Sequence, residues 1–539
     1  MGPPFKKVAS RISLGASMGS FTGLRLKSRS KESLASFNSR LSLSGANREL
    51  SPVLWRVLRK RSPWLKLLKR HQKRGVEAIV STDGFAALFA QRTGKTWVTG
   101  AVLEVERDTT RDVLLIGPKT NLKSTWAKFF REKLPHYHVC HSLKEYDQFK
   151  KDWKKQWGDT DYWVVLLLNP EQVTPIRDKL KRRKWDRMVW DEAQRLKNRT
   201  SQSSRDAAMI ARAAKRRLAL TGTPMDLDPK NLWAIMRFVE VNALGDGWGD
   251  FEDHFLVKPT IDLKKKMGMV QRQKMMLAYQ IAKRKAPMRE DRMEEYADLI
   301  SPHVMRISKE DAGIDPARVH LIKFDLDPQE DKKYRQLEKH MLVRVKGKAI
   351  KTPLKITQIG KLQQITGGHI KDEEGEVHRI GTTKRRQLRR AIRKHAAGQP
   401  FVVFCKFVWE VHMIARFLER MDLGPGAKLW GKVKDVKRDP RRTNMLLNFQ
   451  KGKYAWMVCQ QKTGGVGVDL YYARKFFVYS MGHSYIDYDQ MLSRGDFLEQ
   501  NESADFFLLV VRRSIDTDIV DSVDKKKSIT ELFYDRLKR

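Results

Sequence analysis

Cysteine is scarce: the 539 residues include 3, Cys140, Cys405 and Cys459, far apart along the chain. Three isolated thiols supply neither a disulfide framework nor the paired spacing of a zinc site, and they suit a reducing compartment inside a cell. Long apolar runs are missing as well. Stretches such as Trp163 to Leu168 fall far short of the roughly 20 residues that span a bilayer. Acidic residues are outnumbered, with Lys+Arg 107 against Asp+Glu 63 and a net charge of +44, and Met1 to Lys31 holds no Asp or Glu at all. These absences argue against a membrane protein and a disulfide-stapled secreted domain. A hydrophobic content of 41% argues against a wholly disordered chain. The excess of positive charge favours a polyanionic partner, most simply nucleic acid.

The length suits three to four domains, or two large ones with insertions. Residues 1–50 are basic and Ser-rich and read as a flexible tail, although an organelle transit peptide or a DNA-binding tail shares that composition. From about Ser51 short apolar runs alternate with amphipathic stretches. Val113 to Ile116, Trp163 to Leu168 and Arg187 to Trp190 read as buried strands, and Lys95 to Arg107 and Lys123 to Lys133 as helices between them. A second set follows at Phe401 to Phe404, Ala455 to Val458, Phe476 to Tyr479 and Phe506 to Val511. Strand and helix alternating in this way imply parallel sheets covered on both faces. The expected architecture is α/β, with one lobe over 51–240, a helical and basic middle over 241–375, and a second lobe over 376–539.

Two patterns carry chemistry. Apolar Phe85 to Phe89 runs into Ala90-Gln91-Arg92-Thr93-Gly94-Lys95-Thr96, where a helix begins. A strand, a loop and Gly-Lys-Thr at a helix start can cradle a triphosphate: backbone N–H groups and the helix dipole face the anion, Lys95 reaches the β/γ oxygens, and the Thr96 hydroxyl can ligate Mg²⁺. Phe89 stands where the full motif has its first glycine. The second pattern is Asp191-Glu192-Ala193-Gln194, directly after the apolar Met188-Val189-Trp190. Adjacent carboxylates at the end of a buried strand are costly without a neutralising cation. Asp191 would hold Mg²⁺ and Glu192 would orient or deprotonate the attacking water.

With these two in place, the chain resembles the superfamily 2 helicases, in particular the Swi/Snf-like DNA translocases and their compact phage relatives, over about Leu65 to Lys527. Arg70-His71-Gln72 is similar to the segment whose Gln reads adenine. Thr93-Gly94-Lys95-Thr96 resembles the nucleotide loop, Gly117-Pro118-Lys119 a motif touching the DNA backbone, and Leu220-Thr221-Gly222-Thr223-Pro224 the coupling motif. Lys462 to Leu470, with Thr463, Gly467 and Asp469, resembles the motif that faces both DNA and nucleotide. Gln490 to Gln500 resembles the arginine-finger motif, with Arg494 as its first arginine. The resemblance implies two RecA-like lobes with a helical insertion between them. It implies ATP and Mg²⁺ as cofactors, ATP hydrolysis by Lys95, Asp191, Glu192, Gln194 and Arg494, and ATP contacts from Gln72, Thr93, Gly94, Thr96, Gly467 and Asp469. It also implies DNA contacts from Lys119 and Thr463, and coupling through Thr221 and Thr223. Gln194 replaces the usual His, and Asp496 and Phe497 replace a His and the second arginine.

Three readings follow: a translocase on duplex or forked DNA, a strand-separating helicase on DNA or RNA, and an ATP-gated DNA clamp whose hydrolysis is weakened by Phe497. The basic runs Lys179 to Lys184, Lys264-Lys265-Lys266 and Lys384-Arg385-Arg386 are candidates to widen the DNA track. Trp126, Trp163, Trp190 and Trp233 lie in apolar patterns and are expected in the core. An intracellular location is expected, the host cytoplasm if the gene belongs to a phage.

Overall fold

Strands whose every residue is apolar need cover on both faces, and the chain provides it twice. The computed structural model describes residues 50–222, 230–240, 242–245, 247–258, 276, 286–345, 348–351, 355–431, 441–464, 470, 472–495 and 503–524. The expected tail up to residue 49, Thr223, Lys264-Lys265-Lys266, Gly467, Asp469, Asp496 and Phe497 lie outside the described residues.

The first lobe is built on β1 (Gly84–Phe89), β2 (Asp112–Ile116), β3 (His138–Cys140), β4 (Val164–Leu168), β5 (Trp185–Asp191), β6 (Ala214–Thr221) and β7 (Val304–Ile307). They form one parallel sheet in the order β3-β4-β2-β5-β6-β1-β7. Side chains alternate between faces, as a strand requires. Ala86 and Leu88 enter one apolar cluster, whereas Phe85, Ala87 and Phe89 enter another on the opposite face. Helices α1 (Arg70–Val80), α2 (Lys95–Val105) and α3 (Leu143–Trp157) belong to the cover. Gly75 of α1 lies so close to β1 that a Cβ there would sit 2.8 Å from the Phe89 ring. At the end of the sheet away from the Ala90 to Gly94 loop, fully buried Arg187 donates to Glu106 at 2.7 and 2.5 Å.

The second lobe repeats the plan. β8 (Arg318–Phe324), β13 (Phe401–Cys405), β14 (Gly426–Leu429), β15 (Trp456–Gln460), β16 (Lys475–Val478) and β17 (Asp505–Val511) form a parallel sheet in the order β14-β15-β13-β16-β17-β8. Val402 and Phe404 pack on one face; Phe401, Val403 and Cys405 pack on the other. Two antiparallel ribbons precede β13 in the chain: β9 (Leu342–Val345) with β10 (Lys348–Lys351), and β11 (His369–Lys371) with β12 (Val377–Arg379). Helices α4 (Thr383–His395) and α5 (Val408–Glu419) share one face of this sheet, and α6 (Tyr485–Leu492) follows β16.

The strands expected from the sequence all form within two residues of their expected ends. The segment 241–375 differs from its expectation as a helical insertion. It contains helices, among them Met293–Ile300, Pro328–His340 and Lys355–Thr366, but β7 completes the first sheet and β8 edges the second. The chain therefore passes from lobe to lobe between Ile307 and Arg318, well before residue 376. Both strands are edge strands with partly exposed, charged positions, so they lack the apolar run that marks a central strand. Among the described residues no helix is long and apolar enough to cross a membrane.

Candidate active site

The loop between β1 and α2 is held by its own backbone and by α1. The Ala90 carbonyl accepts from Thr93 Oγ1 at 2.8 Å and from Lys95 Nζ at 3.3 Å. Two side chains of α1, His71 through Nε2 and Gln72 through Nε2, each lie 3.0 Å from the Thr93 carbonyl. Gln72 also accepts from the Lys69 N–H at 3.0 Å, which caps the start of α1. Gln72 thereby acts as a strut for the loop in addition to any contact with a base. Gly94 is required twice over: its φ is +93°, and a Cβ there would fall 2.1 Å from Gln72 Nε2. The left-handed turn opens the N-terminus of α2, whose first N–H groups have no helical partner and favour an anion.

Lys95 donates from Nζ to the Phe89 and Ala90 carbonyls at 3.1 and 3.3 Å. Burial lowers its pKa, against the pull of Glu192, Asp191 and Asp489. Gly222 lies beside it, and a Cβ there would approach Nζ to 3.1 Å and Gln91 Cγ to 2.8 Å.

Asp191 ends β5 and is buried. Its Oδ2 accepts from Trp126 Nε1 at 3.0 Å and Asn121 Nδ2 at 3.3 Å, and its Oδ1 accepts from the Glu192 N–H at 3.0 Å. Burial and the adjacent Glu192 charge push its carboxyl above the usual carboxylate range, opposed by Trp126, Lys95 and Asn121. Glu192 has φ +56°, a left-handed conformation that a non-glycine residue adopts at a cost of about 1–3 kcal/mol. That turn sends the chain away from the sheet at the second carboxylate. Gln194 then bridges: its Nε2 donates to Glu192 Oε2, and its Oε1 accepts from Thr221 Oγ1 at 2.7 Å. A continuous chain Thr221–Gln194–Glu192 thus links the end of β6 to the acid that follows β5.

The expected residues Lys95, Asp191, Glu192, Gln194 and Thr221 are therefore brought together, with Gln72, Thr93, Gly94 and Thr96 in and around the loop. Lys119 is exposed at the start of the turn Lys119–Asn121, two residues before the asparagine that touches Asp191. In the second lobe, Thr463 lies in the turn Gln461–Gly464 after β15. Arg494 is buried just beyond α6, its N–H donating to the Met491 carbonyl at 3.1 Å. The charge of Asp489 on α6 adds to those of Glu192 and Asp191 in raising the pKa of Lys95.

Four contributors escaped sequence reasoning: His71, Asn121, Trp126 and Asp489. Trp126 packs in the core as expected, with Trp190 and Trp233, but it also holds Asp191. A buried indole N–H needs an acceptor, and that was the available signal.

The donors fit a magnesium nucleotide. The Lys95 ammonium is hydrogen-bonded to main-chain carbonyls, which an anion can replace, and its single positive charge faces two carboxylates, Asp191 and Glu192, which leaves one for a metal cation to neutralise. Among the described residues no group of three or more His, Cys, Asp or Glu forms a metal site. A cation here would take one or two protein oxygens and complete its shell elsewhere, the habit of Mg²⁺ at phosphates. Asp191 and Thr96 would hold it.

Residues 48–373 match the SNF2-related domain. The chain belongs to that family. It is similar to the helicase SWR1 of Saccharomyces cerevisiae, 28% identical over 187 residues, which covers 33% of this chain and 12% of that protein. It is similar also to YwqA of Bacillus subtilis, proposed as an ATP-dependent helicase/translocase, with 26% identity over 302 residues covering 53% of this chain and 29% of YwqA. These matches thus span less than a third of either relative. Among solved structures, the SWI2/SNF2 ATPase core of Sulfolobus solfataricus in complex with dsDNA is 20% identical, with a TM-score of 0.37, and the match covers 90% of this chain and 94% of that one.

Proposed function

We propose that this SNF2-family chain is a DNA-dependent ATPase that couples ATP hydrolysis to movement along duplex DNA. The observation that carries the proposal is the hydrogen-bonded chain from Thr221 through Gln194 to Glu192, beside Lys95 and Asp191. Bound Mg²⁺ and ATP supply the anhydride to be cleaved and the charge that neutralises its oxygens. Lys95 exchanges its carbonyl partners for phosphate oxygens. Asp191, oriented by Trp126 and Asn121, presents a carboxylate to the metal. Glu192, fixed by Gln194, orients the attacking water and accepts its proton. A displacement of Thr221 is felt at Glu192 through a single side chain, and a displacement of the Lys119 turn is felt at Asp191 through Asn121. The second route reaches the exposed Lys119, a cation suited to a DNA backbone. Phosphate contacts suit a motor that must step over any sequence. The resemblance implies that Arg494 would complete the site from the second lobe, together with Gly467 and Asp469, which lie outside the described residues.

The test is phosphate release with no nucleic acid, single-stranded DNA, duplex DNA and RNA, alongside triplex displacement and forked-strand separation. The proposal expects duplex DNA to stimulate most and triplex displacement to exceed strand separation. Stimulation by RNA or efficient strand separation would instead favour a helicase. The Phe497→Arg variant addresses the clamp reading: restoring the second arginine raises duplex-stimulated turnover if this position faces the nucleotide. Unchanged turnover would mean that the cleft is completed another way.

A further inference from the structure

The run Lys384-Arg385-Arg386 does not act as a unit. Lys384 is buried and paired with Asp516 at 2.6 Å, and Arg386 is paired with Asp327. Arg385 alone turns elsewhere, into a cluster assembled from three elements. Arg385 and Arg389, one helical turn apart on α4, both lie over the Phe417 ring of α5, at 5.5 and 5.1 Å. Arg379 at the end of β12 and Arg420 just after α5 are close enough, with Arg389, to lower the pKa of half-buried Arg385, after burial itself.

Among the described residues no carboxylate forms an ion pair with the cluster. None of Arg379, Arg385, Arg389 and Arg420 makes an ion pair within 4.0 Å among the described residues, and neither does Glu419, the acid adjacent to Arg420. The hydrogen-bond partner of Arg385 Nη1 is the Met413 thioether at 3.6 Å, a weak acceptor. An aromatic face orients a guanidinium without neutralising it and leaves its edge N–H groups available. Four like charges gathered without a carboxylate oppose each other, and the arrangement favours an anion with several oxygens. The planar fork of arginine matches phosphate in two-point contact.

We propose that Arg379, Arg385, Arg389 and Arg420 form a phosphate-binding site on the solvent side of α4 and α5, which takes the backbone of duplex DNA outside the cleft motifs. The choice of DNA as the source of phosphate rests on the translocase reading above. The site contains no residue of the nucleotide cleft, so its loss leaves ATP binding intact.

The experiment titrates a fluorescent duplex with the full chain at several KCl concentrations. It compares wild type, Arg389→Gln/Arg420→Gln, and a control with equal charge loss on α3 of the first lobe, Lys151→Gln/Lys155→Gln. All four substituted positions are exposed, and thermal melts check that folding is unaffected. Each lost phosphate contact reduces the slope of log affinity against log salt by about 0.9. The arginine pair is expected to flatten the slope by about 1.8 and the control to leave it unchanged, with ATP affinity equal in all three. An unchanged slope in the arginine variant, the result if an acidic protein is the true occupant, overturns the proposal. So does an equal loss in the control, which would mark a general charge effect. A wild-type chain that does not bind the duplex would instead remove the translocase reading itself.

Discussion

The two lobes share a sheet plan and use charge in opposite ways at corresponding edges. In the first lobe, the C-terminal ends of the strands leave Lys95, Asp191 and Glu192 turned toward a common space, each held by neutral donors or carbonyls. In the second, charges at the strand ends are consumed internally. Lys384 meets Asp516, Lys406 meets Gln363, and Glu410 accepts from Ser480 Oγ. Asp516 further accepts from Thr366 Oγ1 at 3.0 Å, and Gln363 donates to the Met481 carbonyl at 2.8 Å. Apart from Glu410 Oε1, which has no hydrogen-bond partner among the described residues, these groups satisfy one another, and pairing of this kind fixes shape. In the proposed reading the first lobe supplies Lys95, Asp191 and Glu192, and the second adds Arg494.

Two lysines give the sharpest way to break this comparison. Lys384→Met leaves Asp516 buried without its partner and is expected to lower unfolding free energy by about 3–5 kcal/mol, while Lys384→Met/Asp516→Leu recovers most of it. Lys95→Met is expected to abolish ATP turnover and to change stability by less than about 1 kcal/mol. Chemical denaturation of the three variants decides. Equal destabilisation by both lysine substitutions would erase the difference between the lobes.

Glu410 provides a pH test. Burial, opposed by its hydrogen bond from Ser480, raises its carboxyl from 4.5 to about 7. Its folded pKa lies above the unfolded one, so the folded state binds the proton more tightly and stability falls as pH rises from 4.5 to 7. A shift of this size corresponds to about 3 kcal/mol. Glu410→Gln is expected to flatten that dependence and to melt higher than wild type at pH 8. A variant that retains the wild-type slope over this window would place the titration elsewhere.

The smallest expected effect concerns the link between β6 and Glu192. Gln194→Ala removes the bridge between Thr221 and Glu192 and is expected to lower DNA-stimulated turnover roughly tenfold, about 1.4 kcal/mol of barrier, with a smaller loss in the DNA-independent rate. Equal losses in both rates would mean that Gln194 positions Glu192 without transmitting anything from Thr221.

What could be read from the sequence was local. The buried strands, the loop Ala90 to Gly94 and the carboxylates at the end of β5 each occupy a few consecutive residues, so their patterns survive without the fold. Asn121 and Trp126 meet Asp191 across 70 and 65 residues, and no periodicity encodes that meeting. Edge strands β7 and β8 were hidden for a related reason: pairing on one side only relaxes the need for an apolar run. The basic run at Lys384 misled in the opposite direction. Adjacency in sequence suggested one patch, yet on a helix consecutive residues point about 100° apart, and the three cations found three different environments.

The central claim is that Glu192 of the first lobe performs the chemistry and that duplex DNA stimulates it. The direct measurement is steady-state phosphate release at saturating duplex DNA for wild type and Glu192→Gln, with binding of a fluorescent ATP analogue measured alongside. The account predicts DNA-stimulated release in wild type and a loss of about 10²- to 10⁴-fold in Glu192→Gln with analogue binding retained. Release that ignores DNA, or a Glu192→Gln variant that turns over at the wild-type rate, would contradict it.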